Sequence, residues 1–157
     1  MPLYVNVLVG TISGTAQLVA QELELRHDEG EVRFRITPMD GLDATVFADG
    51  GLFLICTSTY GHGDVPDNAK RLFESLEKQR PLLANVEYGV IGLGDRTYTE
   101  TYCFGGKRFD RLLTELGARR IGEPMFHDAS SGTMPEEEAA QWAQAWIGLC
   151  VAPRVTL

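Results

Sequence analysis

The sequence has few of the features that mark a metal site or a membrane protein. It contains three cysteines, Cys56, Cys103 and Cys150, and they form no CxxC or Cys/His ligand spacing. No apolar stretch approaches the roughly 20 residues needed to span a bilayer, and the first residues lack the basic and apolar segments of a secretory signal. We therefore expect free thiols in a reducing compartment, no bound metal, no membrane association and a cytoplasmic location.

Basic residues are also scarce. The chain has 14 Lys and Arg against 22 Asp and Glu, which gives a formal net charge of −8. A nucleic-acid surface needs a basic face that offsets phosphate charge, so we expect no nucleic-acid partner. The acidic excess suits brief docking on positively charged proteins, because opposite fields raise the encounter rate.

The chain does have enough apolar material for one ordinary domain. Its 157 residues are 44% hydrophobic and 23% charged, which is typical of a globular fold. The sequence shows no linker, internal repeat or low-complexity segment. We therefore expect one domain over residues 1–157, and a monomer.

Short apolar runs alternate along the chain with stretches of helical spacing. The predicted strands are Leu3–Val9, Val32–Ile36, Leu52–Thr57, Tyr88–Leu93 and Arg119–Phe126. The predicted helices are Thr15–Arg26, Asn68–Glu77, Lys107–Leu116 and a last helix with an inner face of Ala139, Trp142, Ala143, Trp146 and Leu149. A capping box of Thr133 and Glu136 is expected to open that last helix, whereas the crossover Thr37–Gly51 has little helical signal.

This order of elements predicts a three-layer α/β/α fold. Strands joined by crossovers build a parallel sheet with helices on both faces. Because crossovers are right-handed, the natural solution is a doubly wound sheet of five parallel strands in the order 2-1-3-4-5. Ligands of such sheets bind beyond the carboxyl ends of the strands, where the strand order reverses.

The loop after the first strand, Gly10–Ala16, has the composition of a phosphate site. It combines three hydroxyls and two glycines with a helix N-terminus, whose free N–H groups attract anions. The loop has no lysine or arginine, and it matches neither the GxxxxGK[ST] of P-loops nor the GxGxxG of dinucleotide folds. A plain Ser/Thr helix cap is the alternative, although it explains one hydroxyl rather than three.

Two further loops, Thr57–Asn68 and Gly92–Gly106, follow the third and fourth predicted strands. Both combine glycines with tyrosines. Aromatic faces could enclose a flat ring system, and backbone amides could contact its polar edge. Asp95 is either a capping residue or part of the polar frame of that ring, and both interpretations stay open.

At these loops the sequence resembles the flavodoxin family, and the resemblance covers essentially the whole chain. It is similar to the short stand-alone flavodoxins of the MioC type and to the FMN domains of diflavin reductases. The motifs that carry the resemblance are Gly10–Ala16, Thr57–Asp64 with Pro66–Asn68, and Gly92–Tyr98. The resemblance implies a flavodoxin-like fold that binds one FMN, and no long insertion interrupts the fifth strand, as in short-chain members.

The resemblance also implies roles for individual residues. The phosphate would be bound by Thr11, Ile12, Ser13, Gly14, Thr15 and Ala16. Tyr60 and Tyr98 would flank the isoalloxazine ring, and the Gly61 peptide would respond to protonation at flavin N5. The other implied cofactor contacts are Thr57, Ser58, Thr59, Gly63, Gly92, Leu93, Gly94, Asp95, Tyr102, Cys103, Phe104 and Asp128. One additional residue between Tyr98 and Cys103 departs from the family pattern and leaves the packing of Tyr102 and Phe104 open.

The implied function is that of a carrier of single low-potential electrons, without a catalytic residue of its own. A flavodoxin/ferredoxin–NADP⁺ reductase is the implied donor, and a radical-type biosynthetic enzyme is the implied acceptor. A stand-alone FMN-dependent NAD(P)H oxidoreductase is an alternative that the lack of a pyridine-nucleotide fingerprint disfavours. A receiver domain of the same topology is disfavoured because Gly10-Thr11 and Thr57-Ser58 stand where it needs acidic residues.

Overall fold

A computed structural model describes residues 2–11, 14–60, 63–98 and 102–154. Its strands are β1 Leu3–Gly10, β2 Val32–Pro38, β3 Gly51–Thr57, β4 Val86–Gly94, β5 Arg119–Arg120 and β6 Met125–Asp128. Its α-helices are α1 Thr15–His27, α2 Asp67–Gln79, α3 Phe104–Glu115 and α4 Pro135–Val151. Single 3₁₀ turns cover Ala44–Phe47, Arg96–Tyr98, Ala129–Ser131 and Ala152–Arg154.

All strand pairs are parallel, and the sheet order β2-β1-β3-β4-β5 confirms the predicted topology. The predicted fifth strand, however, forms two segments that both pair with β4. Tyr88 pairs with Arg120 and Ile91 with Met125, so two residues of β4 lie opposite the four residues 121–124. The excess residues leave the ladder, and the Nε1–H of Trp146 in α4 donates to the Ile121 carbonyl at this break, 3.1 Å away.

The sheet is buried on both faces, which confirms the three-layer arrangement. Leu54 and Cys56 of β3 face α1 and α4, whereas Phe53 and Ile55 face α2 and α3. Strands buried on both sides are almost continuously apolar, which is why β1, β3 and β4 appear in the sequence as short runs rather than as alternating patterns. Burial of each such side chain contributes about 1.5–3 kcal/mol. This rigid sheet positions the loops at its edges.

Helix α3 begins at Phe104, three residues before the predicted start at Lys107. Gly105 and Gly106 suggested a loop from their composition, but they are helical residues at a close approach. A Cβ on Gly105 would lie 2.2 Å from the Ser58 carbonyl oxygen, and one on Gly106 would lie 3.0 Å from the Gly92 Cα. Glycine is therefore required here by packing rather than by backbone freedom.

The capping box predicted for the last helix is wrong. Helix α4 has Pro135 at its first position, with Met134 as N-cap residue and no side-chain cap bond. Proline fits this position because its missing N–H would have no partner inside the helix. The Thr133 hydroxyl instead bonds the carboxylate of Glu138.

The inner face of α4 also differs from the prediction at one position. Ala139, Ala143 and Trp146 are buried as predicted, and Trp142 is partly buried against the core. Leu149 is 52% exposed, and Cys150, which was not predicted, is buried instead. Helical periodicity explains why Cys150 is buried in place of Leu149, because Cys150 follows Trp146 by four residues and continues the buried stripe. Among the described residues, no helix combines the length and apolarity that crossing a bilayer requires.

Candidate functional site

The loops that follow β1, β3 and β4 meet at one edge of the sheet, and Asn68 joins two of them. Its Oδ1 accepts a hydrogen bond from the Thr11 backbone N–H at 2.9 Å. Its Nδ2 donates to the Val9 carbonyl at 3.3 Å and to Asp40 Oδ2 at 3.2 Å. One amide in the first turn of α2 therefore holds the first loop at the point where the strand order reverses. From the sequence, Asn68 was expected only as part of a helix start and of the Pro66–Asn68 motif. Its side-chain amide, which can both donate and accept hydrogen bonds, was the available signal that it could join two loops.

The first loop presents an open helix end. The Thr11 hydroxyl accepts from the Gly14 N–H at 2.9 Å, and Gly14 is left-handed, with φ of 92°. Helix α1 begins at Thr15 with no described side chain capping it and no acidic residue in its first turn. Its positive end is therefore directed at the space beyond β1, the arrangement that binds anions. Ala16 is fully buried, so only its backbone is available, and Ile12 and Ser13 lie outside the described residues.

The second loop forms a narrow bridge. The Tyr60 N–H donates to the Asp64 carbonyl at 2.7 Å, and the Asp64 N–H donates to the Tyr60 carbonyl at 2.8 Å. Tyr60 is 42% exposed, which is unusual for a large aromatic residue next to a buried strand. A cleft of about 400 Å³ is lined by Thr11, Asp40, Tyr60, Asp67 and Asn68. Gly61 and His62, between the two legs of the bridge, lie outside the described residues.

The hydroxyls that precede Tyr60 bond within the protein. Thr57 is fully buried, and its hydroxyl donates to the Ser58 carbonyl at 3.1 Å. The Thr59 hydroxyl accepts from the Gly105 N–H at 3.0 Å and donates to the Leu93 carbonyl at 3.1 Å. Thr59 therefore ties the second loop to the end of β4 and to the start of α3. Ser58 is half-buried beside this junction.

The third loop is packed tightly against the start of α3. A Cβ on Gly94 would lie 2.5 Å from the Cys103 nitrogen, and one on Gly92 would lie 2.8 Å from the Phe126 ring. Asp95 Oδ1 accepts from the Thr97 N–H at 2.8 Å, so this carboxylate caps the turn Arg96–Tyr98. These contacts leave no room for a side chain at either glycine.

Cys103 and Tyr102 complete this loop from its other end. Cys103 is buried with φ of 55°, and its thiol lies 3.5 Å from the Gly92 carbonyl. Burial raises the pKa of this thiol to about 11, so it stays protonated at neutral pH and is a poor nucleophile. Burial also raises the pKa of Tyr102, whose hydroxyl donates to the Phe126 carbonyl at 3.3 Å. Phe104 next to them is half-buried at the first position of α3.

Asp128 joins the third loop to the end of β6. Its Oδ1 accepts from the Arg96 N–H at 3.0 Å, the Ser130 N–H at 2.9 Å and the Ser130 hydroxyl at 2.7 Å. The bond from the Arg96 backbone, followed by that from the Ser130 hydroxyl, lowers the pKa of this carboxyl below its ordinary value. Asp128 is thus a carboxylate at neutral pH and orders the outer wall of the site. The described residues contain no cluster of His, Cys, Asp and Glu able to hold a metal ion.

Comparison with known proteins identifies the family. The flavodoxin family model matches residues 7–142. The chain belongs to the flavodoxin family. Flavodoxin YqcA of Escherichia coli K12 is 38% identical over 152 residues, covering 90% of this chain and 95% of that protein. Protein MioC of the same strain is 30% identical over 145 residues, covering 92% and 97%. A Pseudomonas aeruginosa flavodoxin, solved as a cysteine mutant, superposes with a TM-score of 0.81 at 33% identity, covering 94% of this chain and 99% of that one.

FMN is the cofactor of this flavodoxin, and the residues present fit it. The N-terminus of α1, which no described side chain caps, and the Thr11 hydroxyl form a donor set suited to a phosphate. The cleft beside Tyr60 offers an exposed aromatic face for a flat ring. Gly92 and Gly94, where a Cβ would collide with neighbouring atoms, let the third loop pack without side chains.

Charge is distributed unevenly across the site of this flavodoxin. Asp40 and Asp67 border the cleft on the phosphate side, and Asp67 Oδ1 is 3.1 Å from the Lys70 ammonium. On the other side, the Arg96 guanidinium and the Lys107 ammonium lie 5.0 and 5.4 Å from the centre of the Tyr102 ring. The position of these two cations could not be predicted from the sequence, because it depends on how the third loop packs against α3.

Proposed function

We propose that this flavodoxin carries single electrons at low potential from an NADPH-dependent reductase to an acceptor enzyme. The observation that carries the proposal is a phosphate cradle without a positive side chain. All the polar groups that the Gly10–Ala16 segment offers are hydroxyls and backbone groups, and it leads into a helix whose N-terminus no described side chain caps. Asp40 adds negative charge to the same cleft, whereas the charge of Asp67 is paired with the Lys70 ammonium at 3.1 Å.

This arrangement supports a low potential by a simple electrostatic argument. Bound FMN supplies the redox chemistry, while the chain sets the potential and the access of solvent. A phosphate held by uncharged donors keeps its charge, and the chain has a net charge of −8. Both disfavour an additional electron on the ring, since like charges repel.

The proposed residue roles divide by loop. Thr11 to Ala16 bind the phosphate, and Asn68 holds that loop in place. In the proposed arrangement Tyr60 and Tyr98 would flank the ring, and the Gly61 peptide, which lies outside the described residues, would hydrogen-bond the ring at N5. The remaining predicted contacts line the ribityl chain and the ring edge, with Thr57 and Thr59 acting through the backbone because their hydroxyls bond protein groups.

We further propose a flavodoxin/ferredoxin–NADP⁺ reductase as the electron donor and a radical-type biosynthetic enzyme as the electron acceptor. We also propose that the chain is a monomer, forms a single domain and acts in the cytoplasm. The charge balance supports docking on a basic partner, and Asp64 and Asp67 are exposed beside the cleft. Electron transfer with such a reductase should slow as salt increases, because screening weakens the attraction. A rate independent of salt would contradict docking by charge.

The experiment that tests the proposal is an absorption spectrum of the protein after incubation with excess FMN and desalting. Retained flavin bands near roughly 375 and 450 nm, at about one flavin per chain, are expected for a bound chromophore. A redox titration should then give a potential for the first electron or the second that is below that of free FMN. A colourless protein that does not quench FMN fluorescence would overturn the proposal, and steady NADPH oxidation without an added reductase would favour the oxidoreductase alternative.

A further inference from the structure

Arg108 reaches from α3 to the second loop. Its Nε donates a hydrogen bond to the Gly63 carbonyl at 2.5 Å. Gly63 directly precedes Asp64, and Asp64 exchanges two backbone hydrogen bonds with Tyr60. The guanidinium is therefore connected, through one peptide and one backbone bridge, to the exposed aromatic residue that borders the cleft.

Two other contacts hold the second loop against α3. Neither of them fixes the direction of the Gly63 carbonyl, which the hydrogen bond from Arg108 does. The Thr59 hydroxyl accepts from the Gly105 N–H at 3.0 Å, which fixes the leg before Tyr60. Gly63, with φ of 100°, packs on Phe104 so closely that a Cβ would lie 2.8 Å from the ring. Neither contact orients the Gly63 carbonyl. Among the described residues only Arg108 bonds that oxygen with a side chain.

The hydrogen bond from Arg108 to the Gly63 carbonyl is of a kind that can hold the second loop in one position. A hydrogen bond from a charged donor is shorter and stronger than one between neutral groups. Arg108 forms no ion pair with a carboxylate of the described residues, whereas Arg111, one turn further along α3, pairs with Glu115 at 3.3 Å. Its guanidinium is thus committed to the loop rather than to neighbours on its own helix.

We propose that Arg108 is a positioning residue for the isoalloxazine ring: by holding the Gly63 carbonyl it fixes the Tyr60–Asp64 bridge and the orientation of the Tyr60 ring. This inference rests on the proposed FMN function. It predicts a defect confined to the ring side of the site, because the described residues show no hydrogen bond or ion pair between Arg108 and the Gly10–Ala16 loop. Riboflavin, which has the ring but no phosphate, reports on that side alone.

The test compares Arg108→Gln with Arg111→Gln, which removes the same charge from the same helix without touching the loop. Dissociation constants for FMN and for riboflavin are measured by quenching of flavin fluorescence, and the visible circular dichroism of the bound flavin is recorded. Arg108→Gln should weaken both ligands about tenfold, equivalent to about 1.4 kcal/mol, and alter the dichroism. Arg111→Gln should stay within about twofold of the unmodified protein, and Arg108→Lys should recover part of the loss by restoring a donor.

Each outcome bears on the inference. Equal affinities for the two Gln variants, or a loss for FMN without a loss for riboflavin, would overturn the positioning role. A lower melting temperature of Arg108→Gln in the absence of flavin, with unchanged affinities, would show that the residue only stabilises the fold. Failure of the unmodified protein to bind FMN would instead overturn the proposed function, and the inference with it.

Discussion

The first loop and the other two loops of the flavin site use their residues in different ways. In the first loop, the groups proposed to bind the phosphate are backbone N–H groups at the start of α1, in a segment held by the Thr11 hydroxyl and by Asn68 from outside the loop. In the second and third loops, glycines pack against backbone and rings, and side-chain hydroxyls and a guanidinium bond neighbouring loops. A phosphate requires accessible N–H donors, whereas a flat ring requires walls held at a fixed separation. The two halves of the site should therefore fail differently when they are altered.

The largest effect is expected at Gly105, where the second loop meets α3. A Cβ at this position would lie 2.2 Å from the Ser58 carbonyl oxygen, which cannot move without breaking the junction at Thr59. Gly105→Ala should lower the free energy of unfolding by about 3 kcal/mol, as overpacking does. Thermal unfolding should show a melting temperature lower by about 6–12 °C.

Gly148 provides the matched control for this prediction. It is also helical, but nothing lies within 4 Å of a Cβ built there. Gly148→Ala should leave the melting temperature unchanged or raise it, because alanine favours a helix by up to about 1 kcal/mol over glycine. Equal losses of stability for the two variants would contradict the explanation by close approach at Gly105.

The second prediction concerns the phosphate side. Asn68→Ala removes the acceptor of the Thr11 N–H and the donor to the Val9 carbonyl. Loss of this support should weaken FMN about tenfold and riboflavin much less, whereas Arg108→Gln is expected to weaken both flavins equally. The dissociation constants of FMN and of riboflavin are measured by the quenching of flavin fluorescence on binding. Gln79→Ala, at the far end of the same helix, should change neither affinity, and an equal loss for both flavins in Asn68→Ala would show that the two halves are not separable.

The third prediction tests the uneven distribution of charge. The Lys107 ammonium lies 5.3 to 5.4 Å from the centres of the Phe104, Phe126 and Tyr102 rings at the third loop. Lys107→Gln removes a positive charge near the ring side and should lower the flavin potential by on the order of 20 mV, a difference that shrinks as salt rises. Lys78→Gln removes the same charge at the end of α2 and should leave the potential unchanged. A higher potential in Lys107→Gln would contradict the electrostatic argument.

The same contrast explains what could be predicted from the sequence. Buried runs such as Leu52–Thr57 and the helical stripes depend on local spacing, so the sheet order and the three layers follow from the sequence. The phosphate loop was also recognisable, since its chemistry is that of a contiguous segment. The break between β5 and β6 was not, because it results from unequal residue numbers on two paired strands. Likewise, the contacts of Arg108 and Asn68 join residues 45 and 57 positions apart.

The smallest effect is expected at Asp128, on the outer wall of the ring side. Its pKa is lowered by hydrogen bonds from the Arg96 backbone and from Ser130, so folding favours the charged carboxylate. The stabilisation is fully present above the ordinary pKa of 3.8, and it is lost as pH falls through the lower pKa of the folded state. Asp128→Asn should therefore lower the free energy of unfolding slightly at neutral pH. The free energy of unfolding of this variant should also fall less than that of the unmodified protein as the pH is lowered. Chemical unfolding of both proteins between about pH 3 and pH 7 measures the difference, which should narrow as the pH falls. A difference that stays constant with pH would mean that the carboxylate charge contributes nothing, and that shape alone holds the third loop to β6.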